Sequence, residues 1–275
     1  MIGIDFGGTQ IKGAEVQDGK IVRTAVRNTK EAKGPQEVLD AIADLARELA
    51  PHHEAIGLAI PGEVNAEGRC WRLPNVPGFE NVAIGKELQS RLGCRVVVEN
   101  DATTAALAEQ LYGHGRQHPS FLMVTLGTGI GGGLVLGRKL WRGSNGFAGE
   151  IGHIPVDREN GWPCACGQTG CLESYCGTKG LIRRYRELGG PEVQTIRPIA
   201  DACRAGDVAA SKTFAAMGRS LAIGISGIQN VLDLDAVVFT GGISASFDLV
   251  EPYLRKSLEA LSFAPPLAQI PLLLS

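Results

Sequence analysis

The chain has 275 residues, of which 44% are hydrophobic and 20% are charged, and its formal net charge is −2. This composition is close to that of an average globular protein, which excludes a disordered or fibrous chain. The sequence has no long basic run that would predict nucleic-acid binding and no apolar stretch of about 18 residues that would predict a membrane span. It does not open on a signal peptide, so we expect a cytoplasmic protein.

Strand and helix patterns in the first 116 residues predict an α/β domain. Three short strands are predicted at 2–6, 11–16 and 21–26, and Asp18-Gly19 is typical of a tight hairpin between the last two. A helix with apolar residues at helical spacing is predicted at 38–49, before Pro51. Further strands are predicted at 55–60 and 95–99, and further helices at 84–92 and 103–111. The breaker-rich segment 113–119 marks the predicted boundary between domains 1–116 and 117–275.

The opening pattern of strand, glycine turn and strand recurs after this boundary and predicts a duplicated architecture. A strand at 121–126 is followed by the turn Gly127-Thr128-Gly129 and by a second strand at 134–136. A helix at 208–230, a strand at 236–240, the turn Gly241-Gly242 and a helix at 249–261 complete the predicted elements. The two halves share this pattern but not their residues.

Two glycine-rich turns are candidate phosphate-binding loops. In Asp5-Phe6-Gly7-Gly8-Thr9, residues without side chains let backbone N–H groups close on a phosphate, and Thr9 adds a hydroxyl. A tight hairpin that simply requires glycine is the alternative. The second loop, Gly127-x-Gly129-x-x-Gly132, formally matches the dinucleotide fingerprint. That fingerprint requires a helix directly after the loop, whereas a strand is predicted here, so a Rossmann site is disfavoured.

A cluster of sulfur and nitrogen ligands predicts a zinc site. His153, Cys164, Cys166 and Cys171 form the pattern H-x10-C-x-C-x4-C. Imidazole and thiolate are preferred zinc ligands, and four of them leave no open position, so the predicted zinc is structural. Ordinary buried cysteines are one alternative, and a nucleic-acid-binding zinc finger, disfavoured by acidic neighbours, is another. The crowding of cysteines fits a metal site in a reducing compartment better than a disulfide framework.

Carboxylates in three places are candidates for acid–base or ligand-binding chemistry. Asp101 follows Glu99-Asn100 where a predicted strand ends and a helix begins, a usual place for a ligand-binding residue. Capping of that helix is the alternative role for Asp101. Glu150 and Glu173 bracket the zinc cluster and are either ligand-binding or solvated. Phosphate loops, a proton-accepting carboxylate and polar groups that hold an alcohol are the requirements of phosphoryl transfer to a hydroxyl.

Five motifs follow one another along the chain. They are Asp5-Phe6-Gly7-Gly8-Thr9-x-x-Lys12, Glu99-Asn100-Asp101-Ala102, Leu126-Gly127-Thr128-Gly129-Ile130-Gly131-Gly132-Gly133, Glu150-Ile151-Gly152-His153 and Cys164-Ala165-Cys166-Gly167-x-x-Gly170-Cys171-Leu172-Glu173. In these motifs and their order, the sequence resembles the ROK family over nearly its whole length; the name abbreviates repressor, open reading frame and kinase. The resemblance implies a two-domain actin-like ATPase fold of duplicated ribonuclease H-like type, with ATP and sugar bound in a cleft between the domains.

The resemblance also implies a role for each candidate residue. Asp101 would be the general base, and His153 would bind zinc with one ring nitrogen and sugar with the other. Asp5 would orient Mg²⁺ with ATP. The implied sugar-binding residues are Asn75, Asn100, Asp101, Glu150, His153 and Glu173. The implied ATP-binding residues are Asp5, Gly7, Gly8, Thr9, Lys12, Thr128, Gly129, Gly241 and Gly242.

The implied activity is transfer of the γ-phosphate of ATP to the 6-hydroxyl of a hexose. Glucose is the first choice, and N-acetylmannosamine, N-acetylglucosamine, mannose, fructose and allose are alternatives. A sugar-sensing repressor of the same family is an alternative of another class. Such repressors carry a helix-turn-helix module before the first glycine loop, which begins here at Asp5. A sugar-binding protein without catalysis is disfavoured because Asp101 and both loops are intact.

Two further expectations concern the assembly and the end of the chain. We expect a homodimer, the common state of soluble enzymes. Members of the family that the sequence resembles usually continue with a Gly-Asp-x-Ala-Gly-like turn and a final helix that packs back on the first domain. This sequence stops at Ser275, and either a truncated chain or a protein that ends early is the expectation.

Overall fold

The computed structural model describes residues 1–29, 34–50, 52, 54–73, 76 and 78–275, which form an α/β structure. The chain divides into two compact units. Unit 1 comprises Met1–Thr104 and Arg142–Ala148, and unit 2 comprises Ala105–Trp141 and Gly149–Ser275. The domain boundary between residues 116 and 117 stays a prediction, and the compact units divide earlier, after Thr104. Among the described residues, no helix is long and apolar enough to cross a membrane.

Unit 1 is built on a five-stranded sheet. The strands of the unit are β1 (Ile2–Phe6), β2 (Gln10–Gln17), β3 (Lys20–Asn28), β4 (Ala55–Ile60), β5 (Glu63–Val64), β6 (Cys70–Arg72) and β7 (Arg95–Asn100). Its helices are α1 (Pro35–Leu49), α2 (Ile84–Leu92) and the start of α3 (Asp101–Tyr112). The sheet order is β3-β2-β1-β4-β7, and β5 pairs separately with β6. Strands β1 to β3 form an antiparallel meander, and β4 and β7 continue it in parallel.

The local chemistry of unit 1 accounts for these elements. Asp18 and Gly19 join β2 to β3 with φ of 50° and 74°, the left-handed pair that the hairpin signal predicts. Helix α1 buries its apolar face on the sheet, and a side chain at Gly13 would lie 2.2 Å from Leu45 Cδ2. Only glycine allows that close approach. Helix α2 ends at Leu92, and the following Gly93 forms its C-cap in a left-handed conformation.

Unit 2 repeats the sheet of unit 1. Its strands are β8 (Phe121–Leu126), β9 (Ile130–Leu136), β10 (Lys139–Trp141), β11 (Ala236–Thr240) and β12 (Leu272–Leu274), and its helices after α3 are α4 (Leu172–Cys176), α5 (Thr178–Glu187), α6 (Arg197–Arg204), α7 (Val208–Leu232), α8 (Glu251–Leu261) and α9 (Pro265–Ala268). The sheet order is β10-β9-β8-β11-β12, again an antiparallel meander continued by two parallel strands. The predicted duplication is therefore confirmed as a duplication of topology.

The long helix α7 organises the core of unit 2. Asp207 caps it by accepting a hydrogen bond from Ala210 N at 2.6 Å. Buried apolar residues of this helix, among them Phe214 and Leu221, belong to one hydrophobic cluster with residues of β8, β11 and α8. A separate cluster fills the core of unit 1. Each unit thus has a hydrophobic core of its own.

Candidate active site

Asp101 begins helix α3 at the carboxyl end of β7. Its side chain retains solvent-exposed area, but the surrounding protein atoms remove enough water to raise the pKa of its carboxyl. Ala102 N donates a 2.7 Å hydrogen bond to Asp101 Oδ1, which partly offsets this effect, and the nearby charge of Asp5 raises the pKa further. A carboxylate with a raised pKa is a better proton acceptor, which suits a general base.

Asn100, rather than Asp101, caps helix α3. Thr103 N donates to Asn100 Oδ1 at 3.0 Å, the bond of an N-cap residue to the third helical position. Asn100 Nδ2 donates to Gly62 O at 3.2 Å. The capping alternative for Asp101 is therefore wrong, and Asn100 is the residue that helix formation requires.

The first glycine loop lies at the carboxyl end of β1, in the same unit as Asp101. Gly7 N donates to Gln10 O at 2.8 Å and closes the turn, while the adjacent Gly8 and Thr9 are exposed. Lys12 lies directly opposite Asp5 in the β1–β2 register. Burial raises the pKa of Asp5, and the positive charge of Lys12 counteracts this rise. The loop combines exposed backbone at Gly8 and Thr9 with one cation and one carboxylate.

Asn75, which the resemblance assigns to sugar binding, lies outside the described residues. The other predicted residues of unit 1 lie at neighbouring strand ends. Asp5 is in register with Ala59 of β4, and Ala59 is in register with Glu99 of β7. This register brings the first loop, Asn100 and Asp101 to one edge of the sheet.

The second glycine loop lies at the carboxyl end of β8 and against the start of helix α5. Gly127 O accepts hydrogen bonds from Thr178 N and Thr178 Oγ1, both at 3.0 Å. A side chain at Gly177 would lie 2.8 Å from Thr128 O, so the chain approaches too closely for any other residue. Thr128 itself is exposed. Because a helix N-terminus carries partial positive charge, this arrangement favours an anion beside Thr128.

The turn Gly241-Gly242 lies beside the second loop. Strands β8 and β11 are parallel neighbours, with Thr125 opposite Thr240, so their carboxyl ends meet at one edge. Gly241 has φ of 97°, and a side chain there would lie 2.4 Å from Leu126 O. The four predicted ATP-binding residues of unit 2 are thus brought together: Thr128, Gly129, Gly241 and Gly242.

A cavity of about 480 Å³ opens next to Thr128 in unit 2. Three cations of helix α5, Lys179, Arg183 and Arg186, line it together with one carboxylate, Glu192, so positive charge predominates. Apolar side chains of Ile182, Pro191 and Val193 line it as well. The cavity therefore offers both charge for phosphates and an apolar surface for a flat ring.

His153, Cys164, Cys166 and Cys171 lie in unit 2 with their ligand atoms all within 4.8 Å of one another. Cys164 Sγ lies 3.7 Å from His153 Nδ1, and Cys166 Sγ lies 3.7 Å from Cys171 Sγ. Tetrahedral zinc with bonds of about 2.3 Å to sulfur would hold two thiolates about 3.8 Å apart. The side chains present thus fit a tetrahedral ion. Burial, together with the neighbouring thiols, raises the pKa of the Cys171 thiol to about 12 without such an ion.

The carboxylates that bracket this cluster have different surroundings. His153 Nε2, the ring nitrogen not directed at Cys164, lies 4.0 Å from Glu150 Oε2. Glu173 Oε2 accepts a hydrogen bond from Ile130 N at 3.0 Å. A side chain at Gly129 would lie 2.2 Å from Glu173 Oε2, so Gly129 makes room for this carboxylate. Glu150, His153 and Glu173 thus flank the second loop and the cysteine cluster within unit 2.

Two groups of residues were missed by the sequence analysis. The cations of α5 were missed, although the run Arg183-Arg184-x-Arg186 is visible as a basic face of a helix. Arg142 was missed as well. Its Nε donates to Glu99 Oε2 at 2.6 Å, and no local pattern links residues so distant in sequence.

Comparisons with known proteins agree with this architecture. The sequence model of the ROK family matches residues 1–270. A glucokinase of Thermotoga maritima is 34% identical over 94% of this chain and 86% of its own length. An N-acetyl-D-glucosamine kinase of Pasteurella multocida is 33% identical over 94% of this chain and 88% of its own length.

Solved structures identify the fold class. A ROK family glucokinase from Streptomyces griseus, in complex with glucose and AMPPNP, has a TM-score of 0.82 at 30% identity over 99% of this chain and 93% of that chain. A ROK family transcriptional regulator, a homologue of the E. coli MLC protein, has a TM-score of 0.89 at 25% identity over 99% of this chain and 73% of that chain. The fold is the two-domain actin-like ATPase fold. The chain belongs to the ROK family.

Proposed function

We propose that this chain is an ATP-dependent sugar kinase that transfers the γ-phosphate to the 6-hydroxyl of a hexose, with glucose as the first substrate. The observation that carries the proposal is Asp101. Its carboxyl has a raised pKa, it is not the cap of α3, and it shares a sheet edge with the first glycine loop. A residue used only for folding does not require this combination.

In the proposed reaction, Asp101 accepts the proton of the sugar hydroxyl. The hydroxyl oxygen forms a bond to the γ-phosphorus, the bond between that phosphorus and the bridging oxygen breaks, and the electron pair leaves with ADP. Backbone N–H groups of Gly8 and Thr9, together with Lys12, stabilise the phosphate charge. Asp5 would hold Mg²⁺, directly or through water, because a carboxylate is a preferred ligand of that ion, and the ion would neutralise phosphate charge.

We assign the nucleotide to unit 2. The N-terminus of α5 and Thr128 favour phosphate, and the cations of the adjacent cavity add positive charge. The apolar residues of the same cavity suit the base. The turn Gly241-Gly242 contributes exposed backbone beside the second loop.

We assign sugar hydroxyl contacts to Asn75, Asn100 and Asp101 of unit 1 and to Glu150, His153 and Glu173 of unit 2. Asn100 retains one amide hydrogen beyond its bond to Gly62 O. The two nitrogens of His153 face different groups, the thiol of Cys164 and the carboxylate of Glu150. This geometry supports metal binding through Nδ1 and sugar binding through Nε2.

We further propose that His153, Cys164, Cys166 and Cys171 hold a structural zinc ion. Four ligands would fill its coordination sphere, so the ion would fix the loop and take no part in phosphoryl transfer. Elemental analysis is expected to give one zinc per chain, and Cys164→Ser is expected to lose it. Cys203→Ser is the matched control, since this half-buried thiol contacts Ser211 Oγ outside the cluster. Equal zinc contents in the two variants would contradict the assignment.

The sugar is the least constrained part of the proposal. Relatives of nearly equal identity are a glucokinase and an N-acetyl-D-glucosamine kinase, so N-acetylated hexosamines are the first alternatives to glucose. N-acetylmannosamine, mannose, fructose and allose follow. A second class, a sugar-sensing regulator, is favoured by the structural likeness to a transcriptional regulator.

Measurement of ADP release with Mg-ATP across hexoses and N-acetylhexosamines tests the proposal. We expect turnover on one sugar, and Asp101→Asn is expected to reduce kcat by about 100- to 10,000-fold, the usual contribution of a general base. Asp44→Asn, on the exposed face of α1, is the control and retains full activity. If the folded protein binds a sugar but turns over none of the sugars tested, the sugar-sensing regulator replaces the kinase as the proposed function. If Asp101→Asn turns over like the parent, the base assignment is wrong.

A further inference from the structure

One hydroxyl ties the cysteine loop, defined here as residues 154–171, to helix α4. Tyr175 Oη accepts a hydrogen bond from Trp162 N at 2.9 Å and donates one to Asp157 Oδ2 at 3.2 Å. Only 5% of Tyr175 is exposed. Solvent therefore competes little for these two bonds, and each of them joins the loop to a helix outside it.

Both partners of this hydroxyl lie at the base of the turn that carries the cysteines. Gly170 N donates to Trp162 O at 2.8 Å, and Asp157 N donates to Gly170 O at 3.3 Å. These bonds close the turn at one point, and Cys171 follows directly after Gly170. The hydroxyl therefore acts where the two arms of the turn meet, next to the ligand set.

The ring of Tyr175 makes a second set of contacts. It stacks on Trp162 with centroids 4.8 Å apart and an interplanar angle of 16°. The guanidinium groups of Arg183 and Arg184 lie 4.2 and 4.7 Å from the centroid of Trp162. Stacking and cation–π contacts hold the indole ring without the hydroxyl. Replacement by phenylalanine thus removes the hydrogen bonds and keeps the packing.

Helix α4 connects the loop to the second glycine loop. It begins directly after Cys171, and it carries Glu173, whose carboxylate accepts the 3.0 Å bond from Ile130 N. A movement of the cysteine loop on α4 would therefore change the position of the ligand set relative to Glu173.

We propose that Tyr175 is a positioning residue, whose hydroxyl pre-organises the cysteine loop for its metal ion. The inference rests on the proposed metal centre, but the loop contacts themselves do not. Without the hydroxyl, the Trp162 amide and the Asp157 carboxylate lose a buried partner, and the turn opens more often. Loss of a group hydrogen-bonded to a metal ligand typically weakens metal affinity by about 10- to 100-fold. The Tyr175 hydroxyl bonds to the turn rather than to a ligand, so we expect an effect at the lower end of that range.

The test compares Tyr175→Phe with the parent chain and with Tyr185→Phe. Tyr185 lies in the same core and is 2% exposed, and within the described residues no hydrogen bond joins its hydroxyl to the cysteine loop. Zinc affinity is measured by competition with a chromogenic chelator. Amide hydrogen exchange of residues 154–171 is measured in metal-free protein. For Tyr175→Phe we expect about tenfold weaker zinc binding and faster exchange in the loop, with Tyr185→Phe equal to the parent.

Two results would overturn the inference. Unchanged exchange in metal-free Tyr175→Phe would mean that the hydroxyl does not order the loop. Faster exchange with unchanged zinc affinity would mean that this order does not serve the metal. If the parent chain binds no zinc, the proposed metal centre fails by itself, and the exchange measurement still decides whether Tyr175 positions the loop.

Discussion

Asp101, the proposed general base, illustrates how a proposed function conflicts with stability. Its pKa is raised in the folded protein, so the folded state binds the proton more tightly than the unfolded chain does. The free energy of unfolding therefore falls as pH rises from the usual aspartate pKa through the raised value. At neutral pH the ionised carboxylate is destabilising, which the proposed role of Asp101 as a general base would explain.

We predict that Asp101→Asn raises the midpoint of thermal unfolding at pH 7, while it reduces kcat. This increase in unfolding temperature is expected to shrink as the pH falls below the usual aspartate pKa, because the parent aspartate is then protonated and uncharged like asparagine. Unfolding temperatures of both proteins at several pH values check this. A variant less stable than the parent at neutral pH would show that the carboxylate stabilises the fold.

The charge of Asp5 provides a second test at the residue scale. Because it raises the pKa of Asp101, Asp5→Asn is expected to lower that pKa and to move the acidic limb of the kcat/KM profile to lower pH. The absolute rate falls as well, since Asp5 is the proposed Mg²⁺ ligand. The position of the limb, rather than the rate, is the measurement. An acidic limb that stays in place would separate Asp101 from the titration.

At the scale of elements, two of the three glycines of helix α7 have opposite surroundings. A side chain at Gly218 would lie 2.7 Å from Leu254 N and 2.8 Å from Tyr253 Cβ, whereas nothing lies within 4 Å at Gly227. The first glycine allows α8 to approach α7. The second has no such role and lowers the helix propensity of an exposed position.

We predict that Gly218→Ala lowers the free energy of unfolding by about 1–3 kcal/mol through overpacking. Gly227→Ala is the matched control and is expected to raise the free energy of unfolding by about 0.5–1 kcal/mol. Urea unfolding of the two variants and the parent measures both values. Equal effects at the two positions would mean that α7 and α8 are not in close contact there.

The elements differ in how well the sequence predicts them. Strands β1, β4, β8 and β11 and helices α1 and α7 were predicted because each has a clear period or apolar run. Strand β9 was predicted at 134–136 but begins at Ile130, since pairing with β8 overrides the low strand propensity of Gly131, Gly132 and Gly133. The short elements α4 to α6, α9, β5, β6, β10 and β12 were not predicted, because tertiary contacts define them rather than a local pattern.

The candidate site shows the same division between local and spatial information. The loops and the cysteine cluster could be found because their residues are close in sequence. Which of Asn100 and Asp101 caps helix α3 could not be predicted from the sequence, because both residue types cap helices equally well. The bonds of Tyr175 to Asp157 and Trp162 join residues 18 and 13 apart and leave no periodic signal.

At the scale of the whole molecule, each unit has a separate hydrophobic core, and all four proposed zinc ligands lie in unit 2. Leu45 is fully buried in the core of unit 1, and Leu221 is fully buried in that of unit 2. Truncation of such a leucine to alanine typically lowers the free energy of unfolding by about 2–5 kcal/mol.

We predict that Leu221→Ala lowers the urea concentration at which zinc is released, whereas Leu45→Ala leaves it unchanged. The reason is that only the first substitution weakens the core that supports the metal loop. A chromogenic chelator reports the release during a urea titration. If both variants shift the release midpoint equally, the two cores unfold as one cooperative system.

The division of the chain has a consequence for protein engineering. The backbone passes between the units after Thr104, after Trp141 and after Ala148, and the first passage lies inside the continuous helix α3. A single cut, or a fusion at one junction, therefore cannot produce a complete half. Residues 1–104 transplanted alone would leave Glu99 without its partner Arg142. A chimaera that exchanges halves between relatives must move residues 142–148 together with 1–104, and must join them by splicing within a helix rather than at a loop.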